Sequence, residues 1–191
     1  YTVGWNNAVL KSTNAGVNWF SQTIPGPANS RLWSVFFTDV NTGYVAAGVY
    51  GGNVYKTSNG GNNWNALSLP VSGNYLTVSF INTSTGYAAG FNSAGGALIL
   101  KTTNAGFLWV SQNVPGGMHI IASVNFIDAN TGFASESDLN VQTGHILKTT
   151  DGGANWQEVF VYTNDSGVRD ICFADANTGI AVCGGRIGSS G

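Results

Sequence analysis

Charge is what this chain has least of: seven Lys+Arg and nine Asp+Glu in 191 residues, or 8%, against the ~25% usual for soluble domains. Its net charge is −2, with arginine only at Arg31, Arg169 and Arg186. That leaves no basic footprint for nucleic acid and no polybasic patch for lipid. No apolar run approaches the ~18 residues of a membrane helix, so membrane insertion is excluded as a reading. Two cysteines, Cys172 and Cys183, are too few for a disulfide scaffold or a Cys-rich zinc site. With a Thr-Gly turn signal between them, they form a possible disulfide if they face each other across a hairpin; the other reading is two buried thiols. Initiator Met and signal peptide are also missing, and the chain starting at Tyr1 reads as processed or cut. Disorder is excluded too, because 43% of residues are hydrophobic and 12% aromatic.

What is abundant is glycine (27 residues), with asparagine, serine and threonine, and it is arranged in repeats. Four segments align without gaps: Lys11–Trp19, Lys56–Trp64, Lys101–Trp109 and Lys148–Trp156. Their tryptophans stand 45, 45 and 47 residues apart. A second motif interleaves: Val35–Tyr44, Val78–Tyr87, Val124–Phe133 and Ile171–Ile180, each with Thr-Gly before its last residue. Each repeat predicts four short strands. Strand A alternates Val/Ile with Phe (Val35/Phe37, Val78/Phe80, Val124/Phe126, Ile171/Phe173), the period of a strand. An Asp-x-Asn-Thr-Gly turn leads to strand B, and strand C ends at Lys-Thr-Thr. Strand D is expected to open at each Trp (64–69, 109–114, 156–162). No stretch carries a helical period, so no substantial helix is expected.

Four strands per ~45 residues is the pattern of a β-propeller blade. The Lys-[Ser/Thr]-[Ser/Thr]-[Asn/Asp]-x-Gly-x-x-Trp segment resembles the Asp-box (BNR) repeat of sialidases, xyloglucanases, sortilin-type receptors and Ycf48-like photosystem assembly factors. The added Phe-x-Asp-x-Asn-Thr-Gly-Tyr block is most similar to the Ycf48-like branch. The resemblance implies an all-β propeller whose structural turn residues are Asn14, Gly16 and Trp19; Asn59, Gly61 and Trp64; Asn104, Gly106 and Trp109; and Asp151, Gly153 and Trp156. The defining Asp stands only at Asp151, and Asn replaces it in the other three, where its side-chain oxygen still caps the turn.

In repeat register the chain supplies strands B, C and D of one blade (1–25), whole blades at 31–70, 74–115 and 119–162, and strands A and B within 168–191. Three arrangements fit these seventeen strands: part of a larger propeller, a closed four-bladed ring, or strand donation between molecules. Eight of the sixteen charges recur at repeat positions: the four lysines, Asp39, Asp128, Asp175 and Asp151. The lysines read as an anion-binding rim or as solvated strand ends with packed stems. In propellers strand A lines the central channel, which makes Arg31, Trp33, Arg169 and Asp170 the candidate ligand-binding residues.

Catalytic signals are sparse. Glycoside hydrolysis needs two carboxylates ~5–10 Å apart, for which Glu136, Asp138 and Asp170 are the candidates. The three arginines do not stand in a sialidase context. His119 and His145 lack a nucleophile partner and ligand-pair spacing, so no catalytic residue, metal or cofactor is expected. The expected function is a non-catalytic scaffold outside the cytoplasm (secreted, periplasmic or at the cell surface) that binds a protein or carbohydrate partner. The alternatives are a self-assembling surface or filament subunit, with the chain forming a homo-oligomer or polymer, and a fragment of a sialidase- or xyloglucanase-like hydrolase.

Overall fold

The computed structural model describes residues 1–48, 52–115, 119–138, 143–163 and 166–185. Arg186, Asp165 and the side chain of Asp138 lie outside them. The described residues form seventeen strands and no helix. The first sheet holds β1 (Thr2–Val3), β2 (Ala8–Lys11) and β3 (Phe20–Thr23) in that order. Three four-stranded sheets follow: β4 (Arg31–Phe37), β5 (Gly43–Gly48), β6 (Asn53–Thr57) and β7 (Asn65–Ala66); β8 (Gly73–Phe80), β9 (Gly86–Asn92), β10 (Ala97–Thr102) and β11 (Val110–Ser111); and β12 (His119–Phe126), β13 (Gly132–Asp138), β14 (Thr143–Thr149) and β15 (Gln157–Tyr162). The last sheet is β16 (Ser166–Phe173) with β17 (Gly179–Gly185). All pairings between these strands are antiparallel, and successive sheets pack as propeller blades. Among the described residues β16 and β17 pair only with each other, so no ladder to β1–β3 closes a ring.

One turn is built four times. The hydroxyl of Ser12, Thr57, Thr102 or Thr149 accepts from the amide of Gly16, Gly61, Gly106 or Gly153 at 2.8–3.0 Å. Oδ1 of Asn14, Asn59, Asn104 or Asp151 accepts from the amide four residues on, also at 2.8–3.0 Å. Asn and Asp offer the same oxygen there, which is why three asparagines keep the motif. The glycines have φ between 79° and 88°, a conformation that disfavours any other residue. Strand D begins one residue after each Trp, because the indoles of Trp64, Trp109 and Trp156 turn into the core under the loop instead of joining the ladder.

Blades are tied by a relay that the repeat spacing generates. Tyr1, Tyr44, Tyr87 and Phe133 each stack on a Phe of the next blade (Phe37, Phe80, Phe126, Phe173) at centroid distances of 3.9–4.2 Å. Phe37, Phe80 and Phe126 then meet the edges of Trp64, Trp109 and Trp156. Each lysine sits 5.4–5.7 Å from the centre of the first ring of its relay. Lys11, Lys56 and Lys101 also donate at 2.7 Å to a carbonyl in the next blade's turn: Gly60, Ala105 and Gly152. The Tyr1, Tyr44 and Tyr87 hydroxyls donate to the same three oxygens. These lysines are therefore inter-blade clasps, neither a free anion rim nor simple solvated ends. Burial, with Asp39 second, pushes the Tyr44 hydroxyl up to about 12, so it stays a donor.

The turn aspartates are expected to make the fold sensitive to acid. Asp39, Asp128 and Asp175 each accept two backbone amides through Oδ1, which holds their carboxyls below the usual 3.8. The backbone amide and side chain of Asn155, then Thr149, lower Asp151 to about 2. A depressed folded-state value means that this stabilisation is complete above 3.8 and is lost as pH falls toward 2. Replacing all four aspartates with Asn, which the chain itself uses at Asn14 and Asn82, should flatten the acid limb of a plot of Tm against pH. An unchanged acid limb would show that other groups set it.

The two cysteines do not meet. In the β16–β17 hairpin Cys172 lies opposite Ile180 and Cys183 opposite Val168, so the register separates them along the ladder. Both are exposed free thiols, neither a disulfide nor buried.

Candidate binding site in the strand-A channel

Every strand A from β4 onward contains a bulge, and each falls at the same place in the repeat. Register shifts lie between Leu32 and Ser34, Tyr75 and Thr77, Ile121 and Ser123, and Val168 and Asp170. The extra residues are Trp33, Leu76, Ala122 and Arg169, each two positions before the motif Val or Ile. A bulge leaves one residue out of ladder pairing and re-aims its side chain. All four line one cavity of about 540 Å³, together with the residues that follow them: Ser34, Thr77, Ser123 and Asp170. Asn74, Phe91, Ile120 and Ser137 complete the wall.

Two glycines of strand B make room for the largest bulge residues. A Cβ on Gly48 would lie 2.9 Å from Trp33 Nε1, and one on Gly184 would lie 3.0 Å from Arg169 Cγ. Trp33 remains 45% exposed, and Arg169 and Asp170 are exposed as well. Polar bonds lock the frame behind them. The Ser34 hydroxyl donates to the Val78 carbonyl at 3.4 Å and accepts from the Val78 amide at 3.3 Å, joining two blades. Ser137 donates to the Val168 carbonyl at 3.2 Å. Asp170 uses Oδ1 to accept from the Ile171 amide at 2.8 Å. The result is a cleft with an aromatic–aliphatic side, a row of hydroxyls and, among the described residues, one cation, Arg169, next to the Asp170 carboxylate.

Of the four candidate binding residues, three converge here: Trp33, Arg169 and Asp170. Arg31 does not line the cavity; its guanidinium lies 4.5 Å from the centre of the Trp5 ring, where an isolated bridge joins the first blade to the second. Leu76, Ala122 and the hydroxyl row are the lining residues that sequence reasoning missed. The signal was available as the variable column two places before Val35, Val78, Val124 and Ile171.

The two candidate carboxylates whose side chains are described stand in different surroundings. Glu136 is 3% exposed and its Oε1 lies 3.4 Å from His119 Nδ1, whereas Asp170 faces the channel. The histidines, far apart in sequence, do meet: their ring centroids are 5.4 Å apart, and His145 Nδ1 lies 2.6 Å from Glu158 Oε2. Among the described residues no group of three His, Cys, Asp or Glu is placed to hold a metal ion, and no helix is long and apolar enough to cross a membrane.

A bladed all-β chain with this motif set also has a family match. The model for the photosynthesis system II assembly factor YCF48 matches residues 56–168. The chain belongs to this YCF48 family. Solved structures agree on the fold. YCF48 bound to D1 peptide aligns at a TM-score of 0.55 and 14% identity, over 95% of this chain and 84% of that one. YCF48 from Cyanidioschyzon merolae aligns at 0.67 and 17%, over 93% and 61%. An ancestral GH74 enzyme aligns at 0.62 and 22%, but this chain spans only 21% of it. No curated protein sequence matches. YCF48-family membership therefore accounts for the repeat and the blade, while identities this low carry the fold alone.

Proposed function

We propose that this YCF48-family chain is a non-catalytic scaffold that holds a segment of a partner protein in the strand-A channel. The observation that carries this reading is the convergence of four bulged residues, one per blade, on a single open cavity of about 540 Å³. A rigid frame with exposed aromatic and arginine side chains is the composition of a protein-recognition surface. The YCF48 structure with D1 peptide supports a peptide as the ligand class. The low charge and Asn/Thr/Gly richness support a location outside the cytoplasm: secreted, periplasmic or at the cell surface.

The first probe is a labelled D1 peptide, read by fluorescence anisotropy, with a glycan array as the competing probe. Saturable peptide binding is expected, weakened at least about tenfold by Arg169→Ala, since one charged hydrogen bond contributes about 1.5–3 kcal/mol, and by Trp33→Ala, which removes a large exposed aromatic contact. Arg31→Ala should leave it unchanged. Retention of glycans without peptide would move the site to carbohydrate recognition. Growth of particle size with concentration in light scattering would favour self-association, for which Phe20 and Ile180 offer exposed apolar surface.

A further inference from the structure

We infer that the bulged residue of strand A is the specificity position of each blade, and that the set present here selects a segment pairing a bulky apolar side chain with an acidic one. This rests on the reading that the channel holds a peptide. A bulge residue is outside the ladder, so exchanging its side chain leaves the blade's hydrogen bonds intact. The residues after the bulges are all small or polar (Ser34, Thr77, Ser123, Asp170), but the bulge column runs Trp, Leu, Ala, Arg. Of these two neighbouring columns, the bulge carries the wider range of side chains, and its side chains reach the cavity without taking part in the ladder.

The chemistry of the column is directional around the channel. Trp33 and Leu76, in adjacent blades, and Phe91 supply the large apolar side chains of the lining. Ala122 leaves open volume beside them. Arg169 stands at the far end of the series and, among the described residues, is the one cation lining the cavity. Among the described residues no carboxylate forms an ion pair with it. Asp170 beside it already accepts a backbone amide. An exposed guanidinium next to apolar surface is best matched by a carboxylate, which it grips through two parallel hydrogen bonds.

The test is selection of a randomised decapeptide display library on the intact chain and on variants whose folding is checked by thermal melting. The native chain should enrich peptides that combine Leu, Phe or Tyr with Asp or Glu, with acidic over basic residues favoured about tenfold. Arg169→Lys should keep that preference, Arg169→Gln should erase it and Arg169→Glu should invert it. Ala122→Phe should abolish enrichment by filling the open volume. Enrichment of apolar peptides with no acidic preference, or the same preference after Arg169→Glu, would overturn the inference and leave the peptide-binding reading standing. No enrichment above a protein-free control would overturn both.

Discussion

Trp109→Ala should destabilise the protein by about 4 kcal/mol, roughly a 10 °C fall in Tm, whereas Trp19→Ala should cost about 1 kcal/mol or less. The two tryptophans occupy the same motif position, so sequence alone treats them as equivalent. Trp109 is 2% exposed and packs edge-on against Phe80, which in turn stacks on Tyr44 of the preceding blade. Removing the indole opens a cavity that this relay cannot close, because the Phe80 ring is held by the stack on its other side. Trp19 is 47% exposed, and its indole donates only to the Gly16 carbonyl at 3.0 Å. No strand A precedes β1 among the described residues to offer it a phenylalanine. Differential scanning calorimetry of the two variants measures the contrast, and equal losses would refute the relay as the source of blade cohesion.

The second large effect is expected at Tyr87. Its ring is 1% exposed, stacks on Phe126 at 4.0 Å and lies under Lys101, while its hydroxyl donates to the Gly152 carbonyl at 2.7 Å. Tyr87→Ala removes the stack and the bond at the interface between the third and fourth blades, a loss of roughly 3–5 kcal/mol. Tyr87→Phe should cost only about 1 kcal/mol, since Lys101 still donates to the same carbonyl at 2.7 Å and no buried acceptor is stranded. Phe133 already occupies that position one blade later, stacked on Phe173 at 4.2 Å. Denaturant unfolding separates the two variants. A Phe variant as damaged as the Ala variant would place the stabilisation in the hydroxyl instead of the stacked ring.

The repeat announces the tryptophan and tyrosine positions more clearly than the contacts they make. The period of Trp19, Trp64, Trp109 and Trp156, the Thr-Gly turns and the alternation of Val and Phe in strand A are local signals, and local hydrogen bonding enforces them. They determined the strand order, the four turns and the tolerance of Asn for Asp without any knowledge of packing. Trp33, Arg169 and Asp170 were also legible, because strand A faces the channel in this architecture.

What the repeat left open depends on contacts made across blades. The clasp role of Lys11, Lys56 and Lys101 needs a carbonyl 49 to 51 residues away, and no pattern within one repeat points to it. The separation of Cys172 from Cys183 follows from hairpin register, which a bulge at Arg169 shifts by one residue. Arg31 lies over the Trp5 ring and does not line the cavity, and the pairing of β12, β13 and β14 sets His119 beside His145. The scarcity of charge has the same resolution. Its distribution along the chain was set by the repeat, so sequence determined that few charges were left for a site. Only tertiary structure decided that Arg169 and Asp170 line the cavity while Arg31 does not, because bulge and ladder geometry aim a side chain irrespective of residue type.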